Sequence, residues 1–128
     1  MAGKIIADQI EHSTAGSLDT QYVVNGSAKA WANLNGSTFG LRKSLNIASA
    51  VDNGVGDYTF SFTSAMIDAN YAALVTCSRD DTVNGIGNIH GSSAAPTSSA
   101  LRITGRIPTT AGAVDTAFSN ASIHGDLA

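Results

Sequence analysis

Tyr58-Thr59-Phe60-Ser61-Phe62-Thr63 is the stretch that decides the fold class. Three aromatic side chains alternate with three hydroxyls. Successive side chains on a β-strand point to opposite faces, so this stretch as a strand has one apolar and one polar face. The pattern recurs on either side of it. In residues 27–34, Ala28, Ala30, Ala32 and Leu34 share one face, and Ser27, Lys29, Trp31 and Asn33 share the other. Residues 43–48 place Leu45 and Ile47 together, and Leu101, Ile103 and Ile107 alternate with Arg102, Thr104 and Arg106. Residues 71–77 are apolar on both faces, the pattern expected of a central strand.

Turn chemistry separates these runs. Asn-Gly occurs at Asn25-Gly26, Asn35-Gly36, Asn53-Gly54 and Asn84-Gly85. This dipeptide tolerates positive φ and is the strongest short hairpin signal. Residues 52–57 therefore read as a tight loop between a strand over 43–51 and the strand over 58–63. Helix signals are confined to residues 65–73, and these fit a loop entering a strand equally well. Short strands at this spacing predict an all-β fold, an antiparallel β-sandwich of jelly-roll type.

Composition narrows the function classes. Of 128 residues, 43% are hydrophobic but only 13% are charged, about half the usual share, so Ser, Thr, Asn, Gly and Ala cover the surface. A weakly charged surface of small residues suits packing between chains better than life as a lone monomer. The net charge of -3 and the scattering of seven basic residues argue against nucleic acid as a partner. No run approaches the roughly 20 apolar residues that span a bilayer, so membrane insertion is not expected. The first thirteen residues do not read as a signal peptide, which predicts synthesis in a cytoplasm.

Few residues carry a chemical motif. His12, His90 and His124 have no metal-ligand spacing to one another, to Cys77 or to a carboxylate, so no metal or cofactor is expected. A threefold axis offers the one other route, by gathering three copies of His90 or His124. Cys77, alone, reads as a small packed side chain. Residues 85–91 nearly spell a dinucleotide glycine fingerprint, but His90 stands where its third glycine belongs. Asp80-Asp81 is the only adjacent carboxylate pair; on a strand the two would face opposite ways, unlike a glycosidase pair. No set of residues asks for catalysis, so the chain is not read as an enzyme. Trp31 is expected to pack in the core or between subunits, with a sugar-stacking platform as the alternative.

The stretch Tyr22-Val23-Val24-Asn25-Gly26-Ser27-Ala28-Lys29-Ala30-Trp31, with Asn33-Leu34-Asn35-Gly36 after it, resembles a domain found at the C-terminal end of tailed-bacteriophage fibre and tail proteins. The likeness continues through residues 41–49, 52–60, 62–66 and 68–72, and more loosely to Ile123-His124-Gly125-Asp126. The resemblance implies a non-enzymatic virion component, generally homotrimeric, made in the host cytoplasm and exposed on the particle.

These readings give a chain of two parts. Residues 1–20 form an attachment arm that docks on other virion proteins through Ile5, Ile6 and Ile10; residues 21–128 form the β-sandwich. Trp31, Ala28, Ala30 and Ala32 pack the core or the trimer. Arg79, Asp80 and Asp81 head the densest group of hydrogen-bonding side chains, on a loop suited to a bacterial surface glycan. The expected function is that of a trimeric phage fibre or receptor-binding protein. The alternative is a capsid decoration protein.

Overall fold

Alternation of inward and outward side chains is realised in two four-stranded antiparallel sheets packed face to face. The structure is a computed structural model that describes residues 3, 5–78, 85–89, 94–110 and 112–128. A hairpin of β1 (Gln9–His12) and β2 (Gly16–Asp19) leads into a short helix, α1 (Thr20–Gly26). The sandwich follows: β3 (Ala30–Asn35), β4 (Gly40–Leu45), β5 (Ile47–Gly54), β6 (Asp57–Phe62), β7 (Ala72–Cys77), β8 (Ile86–Ile89), β9 (Ala100–Arg106) and β10 (Ser119–His124). One sheet has the order β4-β3-β10-β7 and the other β5-β6-β9-β8, all pairs antiparallel. Three hairpins, β3–β4, β5–β6 and β8–β9, each stay within one sheet. This is a hairpin sandwich rather than the jelly-roll wrap that strand spacing suggested.

The core lies between the sheets. Ala30, Ala32, Leu34, Ala121 and Ile123 face in from one sheet, and Tyr58, Phe60, Phe62, Leu101 and Ile103 from the other. The small residues of β3 and β10 lie opposite the large ones of β6 and β9, which lets the layers interdigitate at interior density. Tyr71 meets Phe62 edge-on at 5.7 Å, and its hydroxyl donates to the Ala100 carbonyl (2.9 Å). Burial pushes that phenol up to about 12. Met66 N–H donates to the Ser98 carbonyl and Ile67 N–H to that of Asp126 (both 2.8 Å), which ties the loop after β6 to the chain's end.

Three expectations about elements change. The strand expected over 43–51 is broken at Asn46, whose φ of 55° turns the chain from one sheet to the other. Asn46 holds that corner through its side chain: Nδ2 donates to the Ser64 carbonyl (3.0 Å) and Oδ1 accepts from Ser64 N–H (2.7 Å). The strand at 72–77 is an edge strand, not a central one, and Leu74 is 60% exposed. Asn25-Gly26 ends helix α1 instead of turning a hairpin.

Two glycines are required by close approach. Gly56, at φ 62°, turns β5 into β6 where a Cβ would lie 2.5 Å from the Val114 carbonyl oxygen. At Gly87 a Cβ would lie 2.6 Å from Val75 Cγ1, so its absence lets β8 close against the edge of the opposite sheet.

Candidate functional site

The outer face of the β4-β3-β10-β7 sheet holds the side chains that the core does not use. Trp31 lies between buried Ala30 and Ala32 and therefore points outward, 37% exposed. Register places Leu45 beside it on β4, Ser122 beside it on β10, and Leu74 beyond Ser122 on β7. The result is a row across all four strands, Leu45–Trp31–Ser122–Leu74, with three large apolar side chains open to solvent. The next row is Lys43–Asn33–Asn120–Thr76. Asn120 Nδ2 donates to Thr76 Oγ1 (3.4 Å), while its buried Oδ1 has no partner among the described residues.

A bulge between Asn33 and Leu34 turns Arg42 onto the same side as Lys43. The Arg42 guanidinium sits 4.4 Å over the Phe118 ring, and its Nη1 donates to the Ala117 carbonyl (2.5 Å). The four strands of this sheet contribute Arg42 and Lys43 and no carboxylate. The face is apolar and cationic.

The opposite outer face pairs its charges. Arg102 grips Asp57 with two hydrogen bonds, Nε to Oδ1 at 2.7 Å and Nη2 to Oδ2 at 2.6 Å, which holds the guanidinium pKa up. Asn53 Nδ2 donates to Thr59 Oγ1 (2.8 Å) beside it. At the end of the same sheet Asp115 Oδ1 accepts from Gly56 N–H and from the Tyr58 hydroxyl, both at 2.6 Å. Burial first, and that carboxylate second, raise the Tyr58 phenol beyond its ordinary range. This group locks a turn.

The hairpin and helix at the N-terminus contribute nothing to the core, and no residue of α1 is buried. Ile5 and Ile6 are 94% and 83% exposed. With Ile10, Val23 and Val24 they line an open apolar cleft of about 420 Å³. Asp8, Glu11 and Asp19 lie on the same segment.

The residues singled out from sequence are thus dispersed. Ala30 and Ala32 are sealed in the core, so neither is offered to another chain, and Ala28 is half-buried just ahead of β3. Trp31 is not a core residue. Ile5, Ile6 and Ile10 gather on one cleft. Cys77 is half-buried, its Sγ 3.9 Å from Ser119 Oγ. His124 is held between Ser122 Oγ (3.1 Å) and the Gly26 carbonyl (3.2 Å). Arg79, Asp80, Asp81 and His90 lie outside the described residues.

Sequence reasoning missed Asp115, Arg42 and helix α1. Asp115 is 57 residues from its partner Tyr58, and Ala117 is 75 from Arg42, distances at which no local pattern operates. Among the described residues no group of three or more His, Cys, Asp or Glu is placed to hold a metal, and no helix is long and apolar enough to cross a membrane. Compared with family models, curated proteins and solved structures, the chain matches none.

Proposed function

We propose that this chain is a non-catalytic structural protein that works as an assembly of copies, a homotrimeric fibre or receptor-binding protein on a bacteriophage particle. The observation that carries the assembled reading is the Leu45–Trp31–Leu74 row. A monomer has no use for a tryptophan and two leucines exposed in one row across a solvent-facing sheet, and exposed apolar surface of this kind marks contact sites. Large aromatic side chains at the centre of such a surface supply most of the energy of an interface. The phage context is drawn from the sequence resemblance over residues 20–76.

In this reading the N-terminal segment, with Ile5, Ile6 and Ile10 in solvent, is the part of the chain that joins another protein chain of the particle. Arg79, Asp80 and Asp81 stay the proposed contact with a bacterial surface glycan. Replacing all three with alanine is expected to lower phage adsorption at an unchanged melting temperature. Unchanged adsorption removes this loop from the proposal.

Light scattering of the purified chain tests the assembly: about three times 13.0 kDa is expected, and a monomer at micromolar concentration overturns it. Antibody labelling of intact particles tests the location. Label on the tail is expected, and label spread over the head would replace the fibre reading with a capsid decoration protein.

A further inference from the structure

We infer that the N-terminal segment of one copy docks on the Trp31 face of the next, so that copies join head to tail. The inference rests on the assembled reading above and names the joint.

The segment needs cover that its own chain does not provide. An isolated two-stranded hairpin is marginal in water, and so is a seven-residue helix. Both persist here with Ile5, Ile6 and Ile10 in solvent. The Trp31 face has the complementary lack: Leu45 and Leu74 remain 48% and 60% exposed with the chain's own segment in place.

Charge selects the pairing. Residues 1–26 carry Asp8, Glu11 and Asp19 against a single lysine, whereas the Trp31 sheet carries Arg42 and Lys43 and no carboxylate. Face against face sets cation on cation, and segment against segment sets carboxylate on carboxylate. Segment against face joins opposite signs over apolar centres, which also guides encounter and fixes register. The path of the chain allows it. The end of α1 is pinned at the border of its own face, where the Gly26 carbonyl accepts from His124 Nδ1 and the Val24 carbonyl accepts from Lys29 Nζ. The segment therefore leaves from the rim of one face towards a neighbour. Contacts between two different surfaces close into rings when the rotation permits, and a three-membered ring satisfies every face and every segment.

Complementation by two variants of the full chain tests this. Trp31→Glu spoils the face and leaves the segment sound; the double variant Ile5→Asp, Ile6→Asp does the reverse. All three side chains point to solvent, so each variant is expected to fold and to unfold cooperatively, at a melting temperature independent of protein concentration. Light scattering should find each variant alone at 13.0 kDa and their equal mixture at about twice that mass, held by the one sound joint. If Trp31→Glu does not fold, exposed Lys43→Glu serves as the face variant. Either variant keeping the wild-type mass overturns this joint and leaves the assembled reading intact. Variants that dissociate alone but stay monomeric when mixed also overturn it, since like surfaces would then be meeting. A monomeric wild type overturns both.

Discussion

The two outer faces of the sandwich are built from the same alternation and differ in how their polar side chains are paired. On β5-β6-β9-β8 the outward residues include two hydrogen-bonded polar pairs, Asp57 with Arg102 and Asn53 with Thr59, beside exposed Val51 and Ile86. On β4-β3-β10-β7 they are Trp31, Leu45 and Leu74, with Lys43 and Arg42 at one end. The inner faces must match each other, because every gap between them costs stability. The outer faces are free of that demand. What stands on an outer face therefore reports what it meets, water on one side and, as proposed here, another chain on the other.

Truncation at the centre breaks both faces at once. Phe60→Ala removes a fully buried ring shared by the two layers and should cost about 3–5 kcal/mol in urea unfolding. A loss under about 1 kcal/mol would mean that the layers are not packed as described.

Next in size is the turn lock on the polar sheet. Tyr58→Phe leaves Asp115 Oδ1 with only the Gly56 N–H and should cost about 1.5–3 kcal/mol. The buried Tyr58 phenol and the half-buried Tyr71 phenol also set an alkaline limit. Tyr58 and Tyr71 both hold their protons more tightly folded than unfolded, where the pKa is 10.0. Their contribution is complete below that value and is lost as pH rises through the folded one, about 12 for Tyr71. Urea midpoints should fall above pH 10, and Tyr71→Phe should flatten part of the fall. A profile unchanged by that substitution would deny Tyr71 its share.

The two faces themselves are separated by smaller changes. Trp31→Ser should alter the concentration-independent part of stability by at most about 1 kcal/mol, in the range of surface changes. It should remove the dependence of the melting temperature on protein concentration that an assembly shows. A loss of about 3–5 kcal/mol would instead place Trp31 in the core. Smallest of all, Asp57→Asn should cost about 0.5 kcal/mol, as partly exposed ion pairs do, and should leave the assembled mass untouched. A change in mass would bring the polar face into the contact.

How much of this was legible from sequence differs by residue. Tyr58, Phe60, Phe62, Ala30, Ala32, Leu34, Leu101 and Ile103 declare their shared faces through period-2 alternation, and all eight are buried. Alternation is a local property, two residues long, so it survives in the sequence. It does not say whether a strand is central or at an edge. Residues 72–77 look apolar on both faces yet lie at an edge, because only the sheet order decides which flank is covered. The candidate surface was half legible: Trp31 could be placed opposite the alanines, but not next to Leu45 and Leu74.

Sequence by itself determined that this chain makes antiparallel strands, which residues share a face, and that its surface carries little charge. Only the tertiary structure decided where the chain crosses between sheets at Asn46, that Asp115 closes on Tyr58, and that Leu45, Trp31 and Leu74 form one row. Each of these joins residues that chain order leaves apart: Trp31 and Leu74 share a row only because β10, the last strand, lies between theirs. A side chain's orientation follows from its neighbours in sequence, but its company follows from the register of strands, which the packed core alone settles.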